Sequence, residues 1–391
     1  MPVVYLIAGE TSGDVLGGRL MKALQADAGD ADLKFCGVGG ETMAAAGLDS
    51  LFPMSELSLM GIAEILPHIP RLLKRIRQTA ADIREVKPDI VITIDAPDFC
   101  FRVLKQLGDT DFPLVHYVAP TVWAWKPGRA KKIAKFLDHI LTLLPFEPPY
   151  FEAVGLPATY VGHSAVEDNP MGADGNAWRR AHDIDPDERL LCLLPGSRHA
   201  EVSRLGAPFL DVAGTLWREG QIDRVVIPVA PSVRDAVSKL AQSQDCPIYL
   251  SERPQDRYQV FAACKAALAA SGTVSLELAM TGTPMVIGYK VAPLTAWIVR
   301  QMILTDTAVL PNLIVGDKFV PEFIQDDCTS ENLLNALRPL MTDSPERQKQ
   351  IDGFRRFSAM MHLEGAAPSE RAAGVVLDLL ARHGNVGATP T

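Results

Sequence analysis

Two carboxylates, Asp95 and Asp98, stand in the stretch TIDAPDF (93–99), directly after the apolar run DIVITI (89–94). An acid at the edge of a buried strand is costly unless it is hydrated, paired or chemically employed. Pro97 suits the first turn of a helix, where its missing N–H is not needed. Asp98 therefore reads as a cap or first-turn acid of the following helix, FCFRVLKQL. Asp95 is left at the carboxyl end of the strand, where a general base would sit. The alternative is that both are turn acids.

Two loops have the makings of an anion site. In LLCLLPGSRHAEV (190–202), a strand runs into Pro195-Gly196-Ser197-Arg198 and then a helix. Gly196 permits close backbone approach, Ser197 can hydrogen-bond a phosphate, and Arg198 offers a planar fork matched to phosphate oxygens. In AASGTVSLELAMTGTPMVIGY (269–289), a strand ends at Ser271-Gly272-Thr273 and a helix begins, capped by Ser271 or Thr273. The free N–H groups of its first turn suit a phosphate, and Glu277, about one turn on, would reach a ribose. The plainer alternatives are a surface arginine after a tight turn and an ordinary capped strand–helix connection. The pattern G-x-x-x-x-G-K-[ST] is absent, so neither loop is a P-loop.

The first loop, AGETSGDVLGGRL (8–20), has the same strand–glycine–helix shape but carries Glu10 and Asp14, which would repel phosphate. A neutral polyhydroxyl group beside Ser12 and the Gly13 backbone fits better, with an N-cap and a packing glycine as the alternative. FCGVGGETMAAAG (35–47) contains Gly37 and Gly39, yet Thr42 stands where a dinucleotide fingerprint requires a third small residue. A nicotinamide cofactor is discounted.

These loops need elements to hold them. Apolar runs VVYLIA (3–8), LKFCGV (33–38), DIVITI (89–94), LVHYV (114–118) and HILTLL (139–144) alternate with amphipathic segments. Continuous apolar strands separated by helices predict a parallel α/β sheet. Residues 162–189 turn polar and rich in Gly, Asp and Pro, as a linker would. The pattern then restarts with LLCLLP (190–195), RVVIPVA (224–230), PIYL (247–250), AALAA (266–270) and PMVIGY (284–289). The expected organisation is an N-terminal domain over 1–165, a linker over 166–189, a second parallel-sheet domain over 190–343, and helices and tail over 344–391. Two such domains would face a cleft, with ligands beyond the carboxyl ends of the strands.

The 391 residues suit two domains, and 48% hydrophobic with 22% charged residues is the balance of a folded chain. A net charge of −9 disfavours a general nucleic-acid binder. The six cysteines are scattered without C-x-x-C spacing and read as buried thiols in a reducing compartment; no cluster suggests a metal. The N-terminus lacks the basic region of a signal peptide, and no apolar segment nears the roughly 18 residues of a span. A cytosolic or membrane-peripheral protein is expected.

Three stretches bear on partners. LSLMGIAEILPHIPRLLKRIRQ (57–78) strings Ile62, Ile65, Leu66, Ile69, Leu72 and Leu73 beside Arg71, Lys74, Arg75 and Arg77. It is either a surface for an anionic bilayer or a helix packed on its sheet. PLTAWIVRQMI (293–303), with Leu294, Trp297, Ile298 and Ile303, is a second candidate of that kind. WAWKPGRAKKIAK (123–135) could hold an acceptor phosphate, or be a solvated basic face.

Taken together, AGETSGD (8–14), MGIAEIL (60–66), PDIVITIDAPDF (88–99), HYVAPTVWAWK (116–126), LPFE (144–147), VGHS (161–164), LLPGSRHAEV (193–202), ASGTVSLE (270–277), PMVIGY (284–289) and LPNLI (310–314) resemble the lipid-A-disaccharide synthase family. Only Lys126-Pro127-Gly128 looks like a local variant. The resemblance implies a GT-B type fold, two Rossmann-like domains with C-terminal helices crossing back. It implies an inverting glycosyl transfer from UDP-2,3-diacylglucosamine to the 6-hydroxyl of 2,3-diacylglucosamine 1-phosphate (lipid X), without metal or other cofactor. Asp95 would be the base. Ser12, Gly13, Gly196, Ser197, Arg198, Ser271, Gly272, Thr273, Glu277 and Asn312 would contact substrates. The implied partners are the two lipid substrates and the anionic cytoplasmic surface of an inner membrane, with a homodimer as a further option and no nucleic acid. A UDP-sugar epimerase of the same fold and a non-catalytic membrane-binding protein are the competing expectations.

Overall fold

The computed structural model describes residues 1–29, 32–57, 69–125, 128–292 and 304–386. They form two compact units, one of 1–167 with 363–391 and one of 168–362.

In the first unit, strands β1 (Val3–Ala8), β2 (Lys34–Val38), β3 (Asp49–Ser50), β4 (Ile90–Ile94), β5 (Leu114–Tyr117), β6 (His139–Thr142) and β7 (Ala158–Tyr160) make one parallel sheet in the order β3-β2-β1-β4-β5-β6-β7. The strands alternate their side chains between two apolar layers. Val4, Leu6 and Ala8 of β1 and Ile90, Ile92 and Ile94 of β4 face one layer, built with Leu16, Leu20, Met21 and Leu24 of the helix Thr11–Asp27. Tyr5, Ile7 and Val91 face the other, against Ile76, Ala80 and Ile83 of the helix Ile69–Val86 and Phe99, Val103 and Leu104 of the helix Pro97–Leu107. Burying each such side chain contributes about 1.5–3 kcal/mol, and both faces must be covered for so apolar a sheet to be stable.

The last helix, Pro368–Val386, belongs to this first unit. Ala372, Ala373 and Val376 are fully buried in the layer beneath the helix Thr11–Asp27, against which the last helix packs.

The second unit repeats the plan with β8 (Leu190–Leu194), β9 (Arg224–Pro228), β10 (Ile248–Ser251), β11 (Ala266–Ala270), β12 (Met285–Tyr289) and β13 (Glu322–Ile324), in the parallel order β10-β9-β8-β11-β12-β13. Each sheet therefore reverses its strand order at one place, between β1 and β4 and between β8 and β11, and there the loops splay apart to admit ligands.

Two expectations about organisation need correcting. Residues 168–189 are part of the second unit and not a free linker. The reason is Arg179, which is 7% exposed and donates to the carbonyls of Asp185, Pro186, Glu188 and Ala263. A polar-looking segment is thereby sewn to the unit through its backbone. Of the C-terminal helices, only Pro368–Val386 returns. The helix Pro345–Met361 stays with the second unit, where the Gln350 amide exchanges hydrogen bonds of 2.8 and 2.9 Å with both backbone groups of Met285. All six cysteines are free thiols, Cys36 partly buried and the rest buried.

Candidate active site

At the reversal of the second sheet, the loops after β8 and β11 border a cavity of about 560 Å³. It gathers Gly196, Ser197, Arg198, Ser271, Gly272, Thr273 and Glu277, seven of the eight residues expected from this half of the sequence. Arg253, Arg257 and Glu201 join them, so three arginines face two glutamates.

Glu277 is 9% exposed and pairs with Arg257 at 3.0 Å. Burial pushes its carboxyl above the usual range; Arg257 pulls back against that, and Asp168 adds to the rise. The Arg257 guanidinium also donates to the Tyr258 hydroxyl at 3.0 Å and lies over the Tyr258 ring. The carboxylate is thus held in a fixed orientation at the wall of the cavity, as an acceptor for vicinal hydroxyls would be. Sequence reasoning missed Arg257 because its partner lies on another helix. The one available signal was the pair of arginines, Arg253 and Arg257, spaced one helical turn apart in ERPQDRYQVF.

The loop after β8 differs from expectation. Gly196 has φ +119°, and a Cβ there would lie 2.4 Å from the Glu201 carboxylate. The space is taken by an internal anion. Glu201 accepts from the backbone N–H groups of Ser197 and Arg198 at 3.0 and 3.3 Å and from the Arg198 guanidinium at 3.0 Å. Glu201, three residues after the N-cap Arg198, supplies one half of a capping box, accepting from the Arg198 N–H; arginine has no acceptor to supply the other half. The arrangement cradles an oxyanion, and in this state the oxyanion is the protein's own.

Two serine and asparagine assignments also change. The Ser271 hydroxyl donates to the Ala308 carbonyl at 3.0 Å, and neither it nor Thr273 caps the helix Val274–Met280 with its side chain. Gly272 and Thr273 are exposed. Asn312, expected to touch substrate, is 2% exposed; its amide bonds Thr307 Oγ1 and the Val320 carbonyl and accepts from the N–H groups of Phe319 and Val320. With both ends engaged, it fixes the turn after the helix Leu310–Val315 and is not available to a ligand.

In the first unit, Asp95 stands at the other reversal point, after β4. Its N–H donates to the Tyr117 carbonyl, and its carboxylate accepts from Ala96 N–H at 2.9 Å and Ser12 Oγ at 3.1 Å. Asp95 and Ala96 have φ of 53° and 41°. Consecutive left-handed residues other than glycine cost energy and turn the carboxylate off the strand line. Asp98 is exposed, lies in the first turn of the helix Pro97–Leu107 and pairs with Arg129 at 3.4 Å. The two acids therefore part as their positions suggested, one at the strand end and one on the helix.

Gly13 is buried, and a Cβ there would lie a tight 3.1 Å from the Ile94 carbonyl oxygen, so it serves the packing of its helix. Asp14 is 3% exposed and accepts from the N–H groups of Gly40, Thr42 and Met43. It closes the helix start that a dinucleotide phosphate would use.

Of the apolar stretch, Ile62, Ile65 and Leu66 lie outside the described residues, as do 293–303 and Lys126-Pro127. Ile69 and Leu73 are exposed and Leu72 is partly buried. Arg71, Lys74 and Arg77 are exposed, whereas Arg75 is tied to Glu56 by two hydrogen bonds. No helix among the described residues is long and apolar enough to cross a membrane.

Known proteins share this arrangement. A solved UDP-GlcNAc 2-epimerase from Neisseria meningitidis and a glycosyltransferase from Rickettsia africae are similar to this chain in fold. The TM-scores are 0.60 and 0.57 at 13% and 10% identity, over 98% and 99% of this chain and 100% and 99% of theirs. These likenesses establish the GT-B type fold. A lipid-A-disaccharide synthase of Rhodospirillum centenum is 48% identical over 97% of this chain and 95% of its own, and one of Paramagnetospirillum magneticum is 46% identical over 97% of both. The family description "Lipid-A-disaccharide synthetase" matches residues 4–376. With that match running through both reversal points, the chain belongs to the lipid-A-disaccharide synthase family, enzymes that form the disaccharide of lipid A.

Proposed function

We propose that the reaction is an inverting transfer of 2,3-diacylglucosamine from UDP-2,3-diacylglucosamine to the 6-hydroxyl of 2,3-diacylglucosamine 1-phosphate (lipid X). The products are a β(1→6)-linked disaccharide 1-phosphate and UDP. The observation that carries it is the cavity after β8 and β11, which joins an oxyanion cradle at Ser197–Arg198 to an oriented carboxylate at Glu277. A nucleoside diphosphate needs both, one for its phosphates and one for its ribose.

Inversion at the anomeric carbon needs one base for the attacking alcohol and charge stabilisation for the departing diphosphate. Asp95 takes the proton from the acceptor 6-hydroxyl while the new C–O bond forms; such a base contributes about 10²–10⁴-fold. The anomeric C–O bond to the diphosphate breaks on the opposite face with its electron pair going to the β-phosphate oxygen, and Arg198 stabilises the charge that develops there. Arg198 must exchange Glu201 for the diphosphate in doing so. The proton leaves Asp95 to solvent after product release. The chain's own residues supply this chemistry, with no cofactor in the scheme.

Ile69, Leu73, Arg71, Lys74 and Arg77 form an apolar and basic face on the helix Ile69–Val86. Such a face suits an anionic bilayer, from which lipid substrates would be drawn, and fits an enzyme peripheral to the cytoplasmic side of an inner membrane. The epimerase likeness is one of fold at low identity, and does not favour epimerisation.

The test mixes purified protein with UDP-2,3-diacylglucosamine and lipid X and follows products by mass spectrometry. UDP and disaccharide 1-phosphate are expected in equal amounts, with a β linkage by NMR. Intact substrates under broad conditions, or an α-linked product, would overturn the scheme.

A further inference from the structure

Glu147 is 3% exposed and lies outside the chemistry described above. Its Oε2 accepts from the N–H groups of Leu143 and Leu144, just past β6, at 3.1 and 3.0 Å. Its Oε1 accepts from Nε1 of Trp123, in the loop after β5, at 3.1 Å. The Trp123 ring is itself buried and meets the Phe146 ring edge-on at 5.2 Å. One carboxylate thus joins the loops that follow two neighbouring strands.

The loop it holds begins beside the expected base. Asp95 N–H donates to the Tyr117 carbonyl at the end of β5, and the chain then runs through Thr121–Trp125. That segment closes on itself: the Trp125 N–H donates to the Thr121 carbonyl, and Trp125 Nε1 donates to Thr121 Oγ1 at 3.0 Å. The Trp125 ring remains 39% exposed. The segment is a small turn with one buried and one outward indole, and the Trp123–Glu147 hydrogen bond and the Trp123–Phe146 ring contact tie it to the loop after β6.

We propose that Glu147 is a positioning residue that fixes the Thr121–Trp125 turn beside Asp95 and thereby sets the affinity for the acceptor sugar. The proposal rests on the reading of Asp95 and the acceptor given above. The chemistry of the site makes it sensitive to a single atom. All three partners of Glu147 are donors, so only a group with acceptors on both oxygens satisfies them. Burial pushes the Glu147 carboxyl up to about 7, and the three donors work against that rise. An unpartnered carboxylate would not be kept in such a place.

Glu147→Gln places an amide NH₂ against a donor and breaks one end of the tie. Trp123→Phe keeps the ring and removes the indole N–H, and is the second variant should the first fold poorly. Each is expected to raise the KM for lipid X by about tenfold, the size of one lost hydrogen bond to a charged group. The KM for the UDP-sugar and the affinity for UDP stay unchanged, and the double variant is no worse than the poorer single one. Hydrogen exchange of the 118–125 backbone is expected to quicken in both, a readout that needs no turnover. Direct binding of lipid X weakens in step. Unchanged exchange, unchanged lipid X affinity, or equal losses for donor and acceptor would each overturn the proposal. If the wild-type protein makes no disaccharide, the assigned reaction fails, while exchange and lipid X binding still decide the role of Glu147.

Discussion

The Ser12 hydroxyl donates to the Asp95 carboxylate at 3.1 Å, bridging the two loops at the point where the first sheet reverses its strand order. The bond orients one oxygen and the Ala96 N–H holds the other. A base on a scaffold of this kind can take a proton without first finding its geometry. Asp95→Asn keeps the shape and removes the basicity. Turnover is expected to fall by about 10²–10⁴-fold, with UDP affinity by calorimetry unchanged. Activity near the wild-type level would remove Asp95 from the scheme.

Arg257 can be tested through the group it holds. Arg257→Met leaves Glu277 buried without its cation, so its carboxyl, already pushed up by burial, rises further. A protonated Glu277 loses its charge and turns one oxygen into a donor, so it holds a pair of ribose hydroxyls less well. UDP affinity of the variant should therefore weaken as pH falls from 8 to 6, while the wild type varies less. The stability loss is about 1–3 kcal/mol, below that of a wholly buried pair because Arg257 is partly open to water. A flat pH profile in the variant would count against the coupling.

Gly196→Ala meets two obstacles, a φ of +119° and a Cβ placed 2.4 Å from the Glu201 carboxylate. Melting should show a loss of at least about 1–2 kcal/mol from the backbone alone, and titration should show weaker UDP binding. Truncating Glu201 as well relieves only the carboxylate part of the collision, because the Glu201 Cβ also lies 2.4 Å away. An unchanged melting temperature for Gly196→Ala would contradict the geometry.

His116 contributes to acid sensitivity, as does His163, whose pKa burial lowers to about 4. His116 is wholly buried, with Nδ1 2.8 Å from Thr93 Oγ1, and burial, aided by the Arg129 charge, lowers its pKa to about 3. The unfolded chain takes up a proton near 6.5 and the folded one does not until about 3, so stability is lost as pH falls through that window. At pH 5 this amounts to about 2 kcal/mol. His116→Gln should lose less stability than wild type between pH 7 and 5 in denaturant titrations. Parallel curves would show that other groups carry the acid response.

Much of the fold was legible because buried parallel strands are apolar on both faces, as in VVYLIA and AALAA. The strands that escaped, Asp49–Ser50, Ala158–Tyr160 and Glu322–Ile324, are short and lie at or near sheet edges, where no apolar run is needed. The linker was misjudged because composition does not show that Arg179 will spend its donors on distant carbonyls. At the site, residue type and position after a strand pointed to Arg198 and Glu277, which line the cavity, and to Asp95 at the end of β4, whose roles are proposed above. What the sequence hid were pairings across elements: Arg257 with Glu277, Trp123 with Glu147, and the internal commitments of Asn312 and Ser271.

The chain leaves the first unit after Glu167 and re-enters it at Leu363. Ala372, Ala373 and Val376 complete the layer under the helix Thr11–Asp27. A ribosome therefore releases everything needed for the second unit before the first has its final helix. In vectorial synthesis the earlier-made half must wait, half-covered, for the last residues translated. Premature termination near residue 362 would yield an N-terminal half with a bare apolar flank, prone to aggregate or to be captured by chaperones.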